Sequence, residues 1–469
     1  MGKYKYLLKN IGLLTLSSFA TKFLSFFLVP LYTNILSTTE YGTYDLFNTT
    51  IGVLLPLLTL NIHEAVLRFL LDKNNNRQAV VTVGARYFIK SNCIVVIGLF
   101  INYIFAFSKL GKEYALFFFL MYFAQSLSTI VMAYIRGVDR VADLSISSVV
   151  CSVVIIGCNI LFLVVFKWGL VGYFLANVLG PVAQCTYLII KANAQKDINF
   201  KKGYSRETED MLAYSRPMIA NSVAWWINNA SDKYIVTFIC GLAANGVYSV
   251  ASKIPSIMNI FQTIFAQAWT LSAVKDFDPE DKNGFFANTY AAYNCLMVMV
   301  CSAIIVSDKF LAKFLYSKNF YSAWQYVPWL TIAIVFGSLS GYIGGFFSAV
   351  KDSRQYAQST IIGAVTNIVL NIFFTPLIGA MGAAIATTIC YWVTWLLRFI
   401  QSKKYIKLRV NIVRDSFSYL ILVVQALGLL WIDGVLMYAI EVGLFVIIAL
   451  LYIKDILNLL RKGLHVVKR

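Results

Sequence analysis

Lys22 stands deep inside an apolar run from Ile11 to Leu36, roughly 16 Å from one end and 21 Å from the other at about 1.5 Å per helical residue. A lysine stem snorkels only several ångströms, and a charge at the centre of a bilayer costs at least about 2.5 kcal/mol unless protein or water surrounds it. Thr15, Ser18, Lys22 and Ser25 recur at helical spacing and lay a polar stripe along one face. That face is expected to line an aqueous cavity. A second stripe passes through Asn221, Trp225, Asn228, Asn229 and Asp232, with Lys233 about 100° further round the helix, so that Asp232 and Lys233 cannot both point along one line. Lys233 also lies close enough to the end of its helix for partial snorkelling.

Two further segments carry the same kind of chemistry. One holds Asp45, His63, Glu64 and Arg68, where Glu64 and Arg68 have the i, i+4 spacing of an intrahelical ion pair, and His63 is either a proton relay or a satisfied interior histidine. The other holds Ser249, Lys253 and Ser256 on one track, with the amides of Asn259, Gln262 and Gln267 beyond it. Arg86 and Lys90 open another segment and read as side chains that snorkel to an interface. Cations outnumber anions across these stretches, which suits an anionic substrate. Lys22, Lys233, Lys253 and Arg68 are therefore the candidate substrate-binding cations. Ser18, Ser25, Asp45, His63, Glu64, Asn228, Asn229, Asp232, Asn259 and Gln262 are candidates for the cavity wall or for coupling. No catalytic residue and no cofactor is expected. The eight cysteines lack metal-ligand spacing and read as small packing residues.

The elements that must carry these groups follow from composition. Of 469 residues, 59% are hydrophobic and 13% charged, with a formal charge of +18, whereas an average soluble domain is about a quarter charged. Apolar runs and their polar punctuation predict an all-α integral membrane protein with fourteen helices, at 11–36, 44–70, 80–107, 114–135, 144–166, 169–190, 214–240, 246–272, 285–306, 324–349, 356–374, 379–400, 416–432 and 435–453. The first run is too long for a signal-peptide core and reads as a retained helix. Of the 40 Lys and Arg residues, 29 fall at the N-terminal tail, the even-to-odd connections or the C-terminal tail, and six on the opposite side. By the positive-inside rule, both termini are expected in the cytoplasm. The net charge is then largely topological, and nucleic-acid binding has no folded domain to carry it.

Internal similarity organises the helices. Residues 35–44 align with 239–248, pairing Gly42 with Gly246 and Tyr44 with Tyr248, and Gly169-Leu170-Val171-Gly172 aligns with Gly379-Ala380-Met381-Gly382 at nearly the same offset. Two lobes of six helices are expected, 1–190 and 214–402, joined by a basic linker at 191–213 and followed by 403–469 with the last two helices. Pro30, Pro56, Pro181, Pro255 and Pro328 fall inside predicted helices, where each permits a bend. Gly337, Gly341 and Gly345 form a face for close helix packing.

These residues carry a resemblance. The two six-helix lobes, Tyr41-Gly42-Thr43-Tyr44, Asn229-Ala230-Ser231-Asp232-Lys233 and Gly246-Val247-Tyr248-Ser249-Val250-Ala251-Ser252-Lys253-Ile254 resemble the polysaccharide transporter branch of the multidrug/oligosaccharidyl-lipid/polysaccharide (MOP) flippase superfamily. The resemblance spans essentially the whole chain. It implies a bacterial inner-membrane flippase that moves an undecaprenyl-pyrophosphate-linked O-antigen, capsular or other surface-polysaccharide repeat unit to the outer leaflet by alternating access. It also implies membrane lipids, a polysaccharide polymerase and glycosyltransferases as partners, and cations such as Lys22, Lys233 and Lys253 on the pyrophosphate. Energy would come from an H⁺ or Na⁺ gradient or from the membrane potential. A multidrug antiporter of the same superfamily would favour carboxylates in the cavity, and Asp232 with Glu64 is a thin set. A membrane polymerase or ligase would need catalytic groups on a sizeable outward loop, and the longest one, about 307–323, offers only Asp308 and lysines.

Overall fold

The computed structural model describes residues 26–72, 75–275, 277–350 and 352–457. All the regular structure among them is helical, and ten helices are long and apolar enough to cross a membrane, or eleven if one bent pair counts as a span. Residues 11–25 of the first expected helix lie outside the described residues, so the count of fourteen is not repeated here. The chain divides into two compact units, Met1–Ala230 and Ser231–Arg469.

The first unit begins with α1 (Val29–Ile35) and α2 (Thr38–Leu58). Ser37 starts α2 as a reciprocal cap: its Oγ accepts from the Glu40 N–H, and Glu40 Oε2 accepts from the Ser37 N–H. Leu60 and Asn61 adopt left-handed backbone angles, and the chain bends by 59° before α3 (Ile62–Leu71). The long helix expected at 44–70 is thus broken one turn after Pro56. The unit continues with α4 (Arg77–Phe105), α5 (Ala115–Gly137), α6 (Val141–Asn159, running on as a π-helical turn to Val165) and α7 (Gly169–Ala192). The tight turn between the last two places Lys167 and Gly169 at positive φ. One buried cluster gathers Phe47, Ile51, Phe118, Tyr122 and Phe174, and another Ile62, Val83, Ile135, Leu144 and Leu188. Because lipid tails are as apolar as leucine, such clusters hold helices by close packing more than by exclusion of water.

α8 (Ser205–Cys240) runs across the division between the units. The second unit holds α9 (Leu242–Ala251), α10 (Ser256–Lys275), α11 (Phe285–Leu315), α12 (Val327–Ala349), α13 (Ser353–Ile378), α14 (Ala380–Ser402), α15 (Ile412–Trp431) and α16 (Gly434–Leu451). α12 is the most enclosed span, with 83% of its apolar window buried. Gly337 and Gly345 take the rings of Tyr391 and Trp269 against their backbones, while Gly341 faces nothing within 4 Å. α15 and α16 attach to α11 through buried polar contacts. Tyr419 donates to Asn294, Asn294 donates to Tyr452, and Ser302 donates to Gln425.

Polar pairs confirm which helix ends lie together within this unit. Lys407 reaches Glu280 at one end, and Lys309 reaches Asp433 at the other, at 2.8 and 2.9 Å. That is the alternation expected from the sequence.

Three expectations change. The helix expected at 246–272 is interrupted at 252–255, where Pro255 supplies no N–H. Pro328 stands in the first turn of α12, where the missing donor costs nothing, so it starts a helix instead of bending one; Pro30 lies in the first turn of α1, just after the helical residues 26–27 and a turn at 28. Asp308 lies inside α11, which continues to Leu315, and not in an outward loop. Arg86 also departs from simple snorkelling. Its guanidinium donates to the carbonyls of Phe200, Lys202 and Gly203 and pins the 199–204 stretch against α4.

Candidate transport site

Asp232 is buried on α8, and one of its oxygens accepts the Tyr248 hydroxyl of α9 at 2.6 Å. The other accepts from the N–H of Lys233 at 2.9 Å. One residue earlier, Ser231 donates to Asn367 Oδ1 of α13 at 3.4 Å. Asn371, one turn along α13, donates to the same oxygen at 3.1 Å, and Asn367 donates to Thr387 Oγ1 of α14 at 3.3 Å. The Tyr248 hydroxyl interacts with Thr387 as well as with Asp232, which closes the cluster. Asn371 Oδ1 and Thr375 Oγ1 are buried beside it without a hydrogen-bond partner among the described residues. One carboxylate thus sits among neutral amide and hydroxyl oxygens at membrane depth.

The remaining candidates of this unit lie on α8 to α10. Lys233 and Lys253 are half-buried, Lys253 at the interruption between α9 and α10, where its carbonyl accepts the Ser256 hydroxyl. Ser249 donates to Asn245 at 3.4 Å. Asn259 and Gln262 are half-buried on α10.

In the first unit Asp45 is buried beside Tyr41, Tyr44 and Tyr173. The rings form a close group, with Tyr44 and Tyr173 centroids 4.6 Å apart. His63 Nε2 lies 3.5 Å from Glu64 Oε1. Arg68 is exposed and does not pair with Glu64, so the expected i, i+4 bridge is absent; an exposed guanidinium gains little from such a pair. Asn228 turns its amide to the Ala224 carbonyl of its own helix. Lys22, Ser18 and Ser25 lie outside the described residues, as does the side chain of Asn229.

Reading by charge missed Asn367, Asn371, Thr387 and Tyr248. The available signal was the i, i+4 pair of asparagines in an otherwise apolar helix, which costs stability in lipid unless partners meet it.

A chain of at least ten apolar spans, with polar clusters buried at membrane depth, defines a multi-pass membrane protein. Residues 7–271, more than half of its length, match the model of the family described as polysaccharide biosynthesis protein, and the chain belongs to that family. The chain is also similar to the probable low-salt glycan biosynthesis flippase Agl15 of Haloferax volcanii, at 20% identity over 293 residues. That match covers 61% of this chain and 61% of the relative. Solved structures of transporters share the fold of this chain. A structure of the lipid II flippase MurJ in an inward closed conformation matches with a TM-score of 0.70 and 16% identity, over 94% of this chain and 99% of that one. An inward-facing multidrug resistance MATE family transporter matches with a TM-score of 0.65 and 14% identity, over 86% and 95%.

Proposed function

We propose that this protein is a flippase that carries an undecaprenyl-pyrophosphate-linked oligosaccharide, a repeat unit of O-antigen, capsule or another surface polysaccharide, from the inner to the outer leaflet. The observation that carries this reading is membership of the polysaccharide biosynthesis family over residues 7–271. The excess of intramembrane lysines supports an anionic headgroup, with Lys22, Lys233, Lys253 and Arg68 as its binding cations. The protein sits in the bacterial inner membrane with both termini in the cytoplasm, and it receives its substrate from glycosyltransferases and delivers it to a polymerase.

The membrane potential assists the outward step. With about 2.3 kcal/mol per charge per 100 mV, two uncompensated phosphate charges gain roughly 4 to 5 kcal/mol. Asp232, buried on α8 and bonded to the Tyr248 hydroxyl, is the candidate coupling residue in this reading. Flipping of lipid-linked oligosaccharide in proteoliposomes, with and without an imposed potential, tests the proposal. Lys22→Ala is expected to abolish flipping while the protein still inserts. Full activity of that variant would remove Lys22 from the site, and failure of the wild type to flip any lipid-linked oligosaccharide would remove the function.

A further inference from the structure

At the end of the second unit that carries the 277–284 connection, α10 and α11 border a cavity of about 960 Å³, near the upper end of the roughly 300–1,000 Å³ usual for ligand sites. The distribution of lysine and arginine places this end in the cytoplasm. Two kinds of surface meet in the cavity. Its rim is polar: Asp278, Asp281, Asn283, Asn288 and Thr289. Its wall is aromatic, built from Phe265, Phe285 and Tyr293, with Phe265 and Tyr293 stacked at 3.8 Å and 11° and Phe285 42% exposed.

The rim is held in place by the backbone. Asp281 accepts from the N–H groups of Phe286 and Ala287 and fixes the start of α11, and Asp278 accepts from the N–H groups of Glu280 and Lys282. A carboxylate offers about four acceptor sites, so each retains capacity for a donor in the cavity. Asn288 adds an exposed amide that can both donate and accept. No lysine or arginine is among the described residues that line it. The two carboxylates of the rim disfavour a phosphate, and an acyl chain would leave the rim unpaired. The arrangement fits a molecule with many hydroxyl donors on its edges and a flat apolar face, which is the chemistry of a pyranose: hydroxyls to Asp278 and Asn288, the C–H face on the exposed ring of Phe285.

We infer that this cavity binds the glycan part of the lipid-linked substrate on the cytoplasmic side, apart from the cations that take the pyrophosphate. The inference rests on the flippase reading above and adds the place where the sugar is recognised. The test uses the full chain in nanodiscs and two probes: the lipid-linked oligosaccharide extracted from cells deleted for this protein, and sugar-free undecaprenyl pyrophosphate. Phe285→Ala and Asn288→Ala alter exposed side chains at the mouth of the cavity. Each is expected to weaken binding of the glycosylated probe by about 5- to 10-fold, the worth of one hydrogen bond or one stacked ring, and to leave the sugar-free probe unchanged. Phe285→Trp keeps the platform and is expected to bind both probes as the wild type does. Equal weakening for both probes, or no change for either, would overturn the inference. So would competition by tetraphenylphosphonium that is lost in Asn288→Ala, since that outcome assigns the acidic rim to a lipophilic cation. If the wild type flips the glycosylated lipid while the variants bind it normally, the cavity assignment alone falls; if the wild type flips nothing, the flippase reading falls first.

Discussion

Replacing Asp308 by alanine is expected to make the protein more stable. The residue is fully buried on α11, and neither carboxylate oxygen has a hydrogen-bond partner among the described residues. Its neighbour Lys309 makes no hydrogen bond to it: the ammonium bonds to Asp433 at 2.9 Å and lies 4.4 Å from the centre of the Trp324 ring. Each orphaned buried acceptor costs about 1–3 kcal/mol. Alanine removes both oxygens and leaves a gap of roughly 20 Å³, worth about 0.5 kcal/mol at ~24 cal/mol per Å³. The balance is a gain of about 1.5–5.5 kcal/mol in equilibrium unfolding, read by intrinsic tryptophan fluorescence in mixed micelles of increasing SDS fraction. Asp232→Ala is the contrasting control. It takes an acceptor from the Tyr248 hydroxyl at 2.6 Å and should lose stability by about 1–3 kcal/mol. A loss of 1 kcal/mol or more for Asp308→Ala would refute the reasoning, since it would mean that the carboxylate is partnered in the folded protein.

Gly382→Ala should prevent assembly of the folded protein, because a Cβ there collides with the Phe374 carbonyl oxygen and meets the Thr375 nitrogen at 2.8 Å, both main chain and unable to swing aside; loss of the monodisperse peak in gel filtration is the readout. Arg86→Ala releases the carbonyls of Phe200, Lys202 and Gly203, and hydrogen exchange of amides 199–204 should accelerate by about tenfold or more, with Arg86→Lys restoring it only in part because one ammonium cannot span three acceptors in a fixed fork. At the start of α13, the hydrogen bond from Tyr405, followed by that from the Gln355 N–H, holds the half-buried Asp352 carboxyl below its usual range. A lowered folded pKa means that its contribution to stability is present above the unfolded value of about 3.9 and disappears as pH falls through the folded one. The difference in thermal unfolding between wild type and Asp352→Asn should accordingly shrink below about pH 4, and a difference independent of pH would exclude the ion as its source.

The helices were legible because lipid permits few alternatives. A spanning backbone must satisfy its own hydrogen bonds, so each apolar run announces a helix, and α4, α5, α7 and α11 to α16 begin and end near where the polar punctuation predicts, apart from the C-terminal end of α11. Its overrun had a physical cause that charge alone concealed: Ser307-Asp308-Lys309 looks like the start of a loop, yet the helix buries Asp308 and turns Lys309 to Asp433. The bend after Pro56 was equally hidden, since it depends on Leu60 and Asn61 adopting left-handed angles that no residue type there demands.

The site was legible only in its ionisable members. Asp232 stands out in sequence because a charge in lipid is expensive wherever it points. Asn367, Asn371 and Thr387 become significant only when α13 and α14 bring them beside α8, which spacing along one helix does not reveal. The same reasoning separates two kinds of buried polarity in the second unit. Where Asn294, Tyr419, Tyr452, Ser302 and Gln425 bond to one another, the polar groups hold α15 and α16 in place. Where Asn371 and Asp308 keep oxygens without hydrogen-bond partners among the described residues, the fold gains nothing visible from them. Their retention in a membrane interior therefore argues for a demand other than stability, and of the two only Asn371 adjoins the carboxylate on which coupling would depend.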